Sequence, residues 1–589
     1  MEDKLEDKLK KIVQFLTVFL FFSAFSFAQV YSGQQPVYAG HWIYDALYYL
    51  NLEQKRSSTM DNAPLTVSEL YLNFQQIDKE ELSEAGKQVY EKAEAFFERK
   101  SFLFDFNGAK FTANAILNPT GAIRTDSDVD WSWATSYTDS QAHSEKEDSY
   151  VSTSAMGTVY TEPVLIIPFI LDFGEIAYIG VEPYAGAGPF WSLTSDFYAV
   201  NIPTGRNGAE CGMWPVNANA SIGKNFGGWG AELNAGRQGL EIGRTATGSI
   251  LYNSTFQTDF FVQLNLYSPR LKYTMDVAQV DTSRYLYLHS AEVVPFSWLK
   301  LGILEGTMVD GDFELRYLNP LIFMHAFSGW RQYSSELEKK YYDEAHFCAY
   351  FGWSFDITPC KYLRIYGMYA QNEIQSVIEL NNDYDHSVPD SYAYQLGTEL
   401  SLPAGDGYLT TTLEGVYATP FCYLKPTKAA SLARVRENDA ESYGLGKIAS
   451  WIGTPFGPDA LAAQLSAEYD QPMKFKTGLA YLFVAHGTNS FGLFNKKKKI
   501  DGVEYDSFYP SAMYLQGEPA SKTTAMRTNE LTPVVQYTNR ITLSGQYYFM
   551  PNLSAQAIGA YTFIFNNKAK EGDFAHGLEL TLSARYSLF

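Results

Sequence analysis

The chain has 589 residues, 19% of them charged and 16% aromatic, with 43 Tyr, 40 Phe and a formal net charge of -21. That balance excludes a nucleic-acid partner, whose binding rests on Lys and Arg contacts to phosphate. Cys211, Cys348, Cys360 and Cys422 show neither CxxC spacing nor a paired pattern, so neither a zinc site nor a disulfide framework is expected. A Cys348–Cys360 bridge is compatible with an oxidising compartment but is not the expectation.

Residues 1–28 read as a secretory signal. Lys8, Lys10 and Lys11 precede an apolar run from Ile12 to Phe27, and Ser26-Phe27-Ala28 supplies a small-x-small cleavage site. The run is short for a spanning helix of roughly 20 residues. Beyond it no uninterrupted apolar stretch reaches that length, so a membrane-embedded form of this chain crosses as strands. A mean hydropathy of -0.20 fits strands whose lipid-facing and lumen-facing residues cancel.

Residues 35–100 carry a helical texture. Trp42, Ile43, Ala46, Leu47 and Leu50 recur at three- and four-residue steps. Thr66 is placed to cap a second helix, with Glu69 three residues on as in a capping box and Val67, Leu70, Tyr71 and Phe74 as its apolar face. A third segment, 78–97, carries Leu82, Val89, Ala93, Phe96 and Phe97 among many charges. Three short amphipathic helices pack as a small bundle, which buries too little surface to stand alone and leans on the rest of the chain.

From about residue 101 onward the period switches to two. Leu363 to Tyr369, Leu409 to Tyr417, Ile541 to Phe549 and Leu553 to Phe565 each alternate apolar and polar positions. Met550-Pro551-Asn552 reads as a tight periplasmic turn, while 139–149, 381–390 and 495–504 read as long outward loops. The tail is clearest. Leu578, Leu580, Leu582, Ala584, Tyr586 and Leu588 share one face, and Glu579, Thr581, Ser583, Arg585 and Ser587 share the other, before Phe589. A terminal alternating strand ending on an aromatic is how outer-membrane barrels close, with apolar residues to lipid and polar residues to the lumen. About 490 residues at roughly 25–30 per strand and connection predict about 16–18 antiparallel strands, an even number being preferred. The expected fold is thus an all-β transmembrane barrel (101–589) with a small N-terminal helical bundle (35–100) at its periplasmic mouth. The Tyr and Phe excess suits aromatic girdles at the two membrane interfaces.

Several blocks in order carry a family resemblance. Ile43 to Leu50 leads to Ala63-Pro64-Leu65-Thr66. Ala235-Gly236-Arg237-Gln238-Gly239-Leu240-Glu241-Ile242-Gly243 runs into Gly248-Ser249-Ile250-Leu251. Arg284 to His289 precedes Leu301-Gly302-Ile303-Leu304-Glu305 and Tyr317-Leu318-Asn319-Pro320-Leu321. Trp451 to Asp459 ends the set. Together they resemble the capsule assembly family typified by Wzi. The resemblance implies an outer-membrane barrel with a helical bundle at its periplasmic mouth and a role in holding or assembling surface polysaccharide.

The residues themselves give candidate contacts. Arg237 and Glu241 fall on one face of a predicted strand. A charge facing lipid at the midplane costs ~2–4 kcal/mol, so both are expected in the lumen, as an ion pair bracing the wall or as a polar lining for sugar hydroxyls. Glu305 is expected to pair with Arg316 or Arg331, or to accept from a glycan. His325 and Trp330 are candidates for a loop platform that stacks on sugar rings. Lys496 to Lys499 is a basic run expected to be solvated, and it is the best candidate patch for an acidic glycan. Asp385-His386-Ser387 lies in a polar loop, and sequence neighbours do not make a catalytic triad. His289, His325, His346 and His486 lack metal-ligand spacing. No catalytic residue, cofactor or metal is therefore expected. The expected partners are surface polysaccharide and outer-membrane lipid, with the oligomeric state unread. The alternative is a porin or plugged channel for small solutes.

Overall fold

Strands that alternate every second residue expose half their side chains to lipid, and in lipid their backbone polar groups are satisfied only by closing the sheet on itself. The computed structural model describes residues 33–98 and 103–588, apart from 126–128, 130–134, 139–150, 155–162, 187–197, 203–209, 213–217, 254–257, 321–323, 325–346, 375–389, 426–429, 438–446, 490–497, 501–502, 506–530 and 533. The predicted signal segment, Trp330, His325, Phe589 and most of the three predicted outward loops lie outside the described residues.

Among the described residues eighteen strands close the barrel, with Phe104–Phe106 and Tyr198–Val200 as short additions to the same sheet. The first four are interrupted: β1 (Ala109–Ala113, Ile116–Leu117, Thr120–Arg124), β2 (Leu165–Ile166, Phe169–Asp172), β3 (Ala177–Val181, Tyr184–Gly186) and β4 (Glu210–Gly212, Ala218–Asn225). Then come β5 (Gly230–Gln238), β6 (Asp259–Tyr267), β7 (Leu271–Asp281), β8 (Arg284–Phe296) and β9 (Leu299–Asp310). β10 (Phe347–Cys360), β11 (Leu363–Glu373), β12 (Ser391–Ala404), β13 (Gly407–Ala418) and β14 (Ala460–Gln471) follow. The last are β15 (Phe475–His486), β16 (Gln536–Met550), β17 (Leu553–Phe565) and β18 (Phe574–Ser587). Each pairs antiparallel with the next, and β18 pairs with β1, Glu579 opposite Arg124 and Tyr586 opposite Leu117.

The tail faces as its alternation predicts: Leu578 is 52% exposed and Glu579 3%. At the closing seam Arg124 of β1 bonds Glu579 at 2.9 Å, and Arg540 of β16 bonds the same carboxylate. Removing Glu579 would leave two buried guanidiniums, so the seam is fixed by charge as well as by its ladder.

One rim carries only short turns, such as 297–298, 361–362, 405–406 and 551–552. Stacked aromatic pairs sit there, Phe226 on Trp229 at 4.7 Å and Phe296 on Trp298 at 5.6 Å, as an interfacial belt requires. The opposite rim carries the long connections, the arrangement of periplasmic turns and extracellular loops in such barrels. Cys348 and Cys360 lie near opposite ends of β10 and both are free. Twelve steps of about 3.3 Å separate them, far beyond the span of a disulfide.

The bundle consists of α1 (Trp42–Glu53), α2 (Val67–Phe74) and α3 (Glu84–Glu98). Ile43, Ala46, Leu47, Leu50, Leu70, Val89, Ala93 and Phe96 form its core, and Tyr408 of the wall joins them, stacked on Tyr49 at 4.5 Å. Thr66 caps α2 by accepting from Glu69 N at 3.4 Å, while the Glu69 carboxylate leaves the box to bind Lys272 of β7 at 2.8 Å. The predicted third helix begins later than 78. A short 3-10 turn over Lys79–Glu81 precedes it, and Ser83 instead donates to Glu53 at 2.6 Å.

Candidate functional site

The Arg237–Gly243 block does not continue as one strand. β5 ends at Gln238 and the chain turns into the lumen, where Glu241–Ile242 pairs with Asn62–Ala63 of the bundle's connector. Gly243 has φ +99, and a Cβ there would meet Met368 Sδ at 2.6 Å, so glycine is required at this close approach. This inward loop brings Arg244 over Tyr48 at 4.1 Å and into bonds with Asp45 of α1 at 3.0 Å and Glu399 of β12 at 2.9 Å. Arg364 of β11 stands beside it, bonding Asp356 at 2.5 Å and donating to the Arg244 carbonyl at 3.1 Å. Lys476 of β15 reaches Asp45 at 3.3 Å and Glu468 at 2.8 Å.

Between α1, the inward loop and the wall from β11 to β16 lies a cavity of about 410 Å³. It is lined by Tyr44, Tyr48 and Tyr49, by the charged groups just named, and by small hydroxyl residues such as Ser466, Thr542 and Ser544. It lies in the half of the barrel nearer the short-turn rim, beside Gly40 and the partly exposed Lys476–Glu468 pair. Burial raises the Asp45 carboxyl, but Lys476 and Arg244 outweigh it and hold Asp45 below the usual carboxylate range. Burial pushes Glu241 up to about 7 against the pull of Arg244. Burial likewise takes Glu69 to about 8, with Lys272 opposing.

Other buried polar bonds fasten the bundle round the wall. Thr66 donates to Glu232 of β5 at 2.6 Å, Tyr408 donates to Glu53 at 2.8 Å, and Lys300 of β9 holds both Asp61 and Glu292. The far half of the lumen is filled differently. The inward loop and the described parts of a second connection, 419–425, 430–437 and 447–459, bring Leu251, Tyr252, Leu432, Trp451 and Ile452 onto Leu286, Leu304, Met308 and Val416 of the wall in one apolar core. Within that core Arg434 bonds Asp259 at 2.7 Å, and Tyr252 donates to the same carboxylate at 2.5 Å.

Of the predicted contacts among the described residues, Glu241 alone lines the cavity. Arg237 faces outward, not into the lumen: it sits opposite exposed Phe260 in the ladder, its guanidinium 5.5 Å from that ring and its Nε donating to Thr258 at 3.0 Å. It lies one residue from the strand's end, where a long side chain reaches polar surroundings and escapes the lipid penalty. Glu305 also faces outward, sharing a face with exposed Leu301 and Ile303 and lying opposite His289. Residues 314–317 of the connection after β9 lie over this outer wall. Glu314 N donates to Tyr287 Oη at 2.8 Å, His289 Nε2 donates to the Tyr317 carbonyl at 3.1 Å, and Arg316 pairs with Glu314. Sequence reasoning placed Arg364 on the polar face of its strand but missed Arg244, Asp45, Glu399, Lys476 and Tyr48 as a group. The signal for Arg244 was its place directly after the glycine-bearing block; nothing local marks the others.

The fold defines the class: an outer-membrane β-barrel whose described lumen is occupied by its own chain. No family model matches the chain, and no curated protein matches it. Among solved structures, the chain is similar to Wzi of Escherichia coli, an outer-membrane protein involved in group 1 capsule assembly and described as a carbohydrate-binding β-barrel. That likeness has 10% identity and a TM-score of 0.50 and covers 93% of this chain and 98% of that one. OprD of Pseudomonas aeruginosa matches at 10% identity and a TM-score of 0.37, covering 83% of this chain and 97% of that one. The outer-membrane channel DcaP of Acinetobacter baumannii matches at 10% identity and a TM-score of 0.29, with 83% and 100% covered. The likeness to Wzi shows the barrel fold.

Proposed function

We propose that this chain sits in the outer membrane and holds or helps assemble surface polysaccharide, without enzymatic chemistry, in the manner of the capsule assembly family its motif order resembles. The observation that carries the choice over a solute channel is the filling of the lumen. A bundle fastened by Lys272, Lys300, Arg244 and Lys476 occupies one half, and an apolar core of two inward loops occupies the other. A plug that moves would have to break several buried ion pairs together, and each broken pair leaves an uncompensated charge. Polysaccharide holding needs no open path. It works through many weak contacts repeated along a polymer and over many protein copies.

The test is the ratio of cell-bound to released polysaccharide in a deletion strain and its complemented parent. Glycan made in normal amount but shed into the medium supports the reading. An unchanged ratio, together with steady conductance of the purified protein in a planar bilayer, overturns it in favour of the channel.

A further inference from the structure

Resting on the polysaccharide reading, we infer that Asp459 is a positioning residue. It fixes both ends of the outward connection between β15 and β16, so that a hairpin of that connection meets anionic groups of the glycan. Asp459 is wholly buried and its backbone is left-handed, at φ +59. A non-glycine residue keeps that conformation only where its surroundings over-determine it, and such positions gather at functional parts of a fold.

What over-determines it is one connection bound at both ends. At the start, Asn489 N donates to Asp459 Oδ2 at 3.0 Å, and Gly487 N donates to the Asp459 carbonyl at 2.8 Å. At the end, Thr532 N donates to Oδ1 at 2.9 Å, and the Thr532 hydroxyl donates to Oδ2. The two ends also meet each other, Thr488 N donating to Thr532 Oγ1 at 2.7 Å. A Cβ on Gly487 would run into the Asp459 carboxylate, so only glycine passes this close. The clamp is itself held to the apolar half of the lumen. Asp459 N donates to the Thr419 carbonyl at 3.0 Å, and the Asn489 side chain donates to the Pro420 carbonyl at 2.8 Å. Cys422 and Tyr423, members of the apolar core, follow directly.

A buried carboxylate is ordinarily answered by a cation. Here the donors among the described residues are N–H and O–H groups of the connection, bonds strengthened by the charge of their acceptor. Pinning both ends of a long connection removes freedom that a ligand would otherwise have to remove, so the same contacts bind more tightly.

The connection, 487–535, is the longest on the long-loop rim and contains the Lys496 to Lys499 run. Within it Lys498–Ile500 pairs with Val503–Tyr505, Lys498 opposite Tyr505 and Lys499 opposite Glu504. In a chain of net charge -21, a hairpin bearing lysines is where carboxylate or phosphate groups of a polysaccharide meet attraction rather than repulsion.

The experiment compares full-length proteins in the complemented deletion strain: wild type, Asp459→Asn, an exchange of 498–505 for a Gly–Ser segment of equal length, and both changes together. Asp459→Asn is close in shape but sets an amide donor against donors. The heat-dependent gel shift reports a folded barrel in each. D459N should lower the ratio of cell-bound to released polysaccharide about fivefold, through the lost preorganisation, and the exchange should lower it at least as far. The double variant should fall no lower than the exchange alone, whereas a merely structural role would lower it further. Wild-type retention in D459N, or a further fall in the double variant, overturns the positioning role. Wild-type retention in the exchange overturns the hairpin contact. If D459N loses the gel shift, Thr532→Val takes its place, since it removes one hydroxyl donor and keeps both N–H donors. A smaller loss is then expected in the wild-type background and none in the exchange, and no loss in either overturns the role. The class is read on purified protein in detergent micelles, with oligosaccharides from the same cells' polysaccharide separated by anion exchange. The acidic pool should bind wild type, and added salt should weaken it. Preference for the neutral pool overturns the anionic class. Any of these failures with retention still lost on deletion leaves the polysaccharide reading standing, whereas unchanged retention on deletion removes both.

Discussion

The two halves of the lumen are filled by different physics. Toward the short-turn rim, bundle and wall are joined through Asp45, Asp61, Glu69, Arg244, Arg364 and Lys476, and a cavity remains among them. Toward the long-loop rim, Leu251, Trp451 and Ile452 close a continuous apolar core with one ion pair buried in it. Apolar filling is non-directional and tolerates any shape that excludes water, so it leaves little space. Polar filling demands geometry, and where two sets of charges satisfy each other a gap lined by hydrogen-bonding groups is left between them. The apolar half is thus packed closed, and the polar half keeps a cavity lined by hydrogen-bonding groups.

Four predictions sharpen or break that contrast. The largest effect is expected at Arg434→Ala, which strands the buried Asp259 carboxylate in the apolar half. A cost of about 3–5 kcal/mol is expected in guanidinium unfolding of the micellar protein. A value under 1 kcal/mol would mean water reaches this core. Next comes Leu251→Ala, at about 2–5 kcal/mol, because the side chain fills the space left by Gly352 against the wall.

The third concerns pH. Asp45 is held below its ordinary value of 3.8 by Lys476 and Arg244, so its stabilisation is fully present above that value. It is lost as pH falls through the lower folded value. Below about pH 4, protease cleavage near α1 should rise in wild type, and Asp45→Asn should already be cleaved more readily at neutral pH and change little on acidification. Equal cleavage of both proteins across the range would show that these ion pairs do not hold the bundle. The smallest effect is expected at Arg237→Ala. Its ring contact at the outer surface is worth about 0.5–1 kcal/mol, and glycan retention should be unaffected. Loss of retention there would move recognition to the barrel's outer rim.

Much of the wall was legible because a period of two is a local property. Leu553–Phe565 was read end to end, and the tail's lipid and lumen faces were assigned residue by residue. The bundle was legible for a like reason, since the three-and-four spacing of Ile43, Ala46, Leu47 and Leu50 marks its buried face. The candidate site was not. Arg237 and Glu241 share a sequence phase, but the strand stops between them, and only Glu241 enters the lumen. Glu305 sits on an apolar outward face, where a later segment of the chain makes its place tolerable.

Sequence alone determined that this chain is a barrel, roughly how many strands it has, and which end carries helices. Each of those follows from which face of a local element is apolar. The tertiary structure decided what fills the lumen and where charges meet, because Asp45, Arg244, Glu399 and Lys476 come together only when the sheet closes round the bundle. A charge's partner is set by distance in space, and no spacing along the chain encodes it.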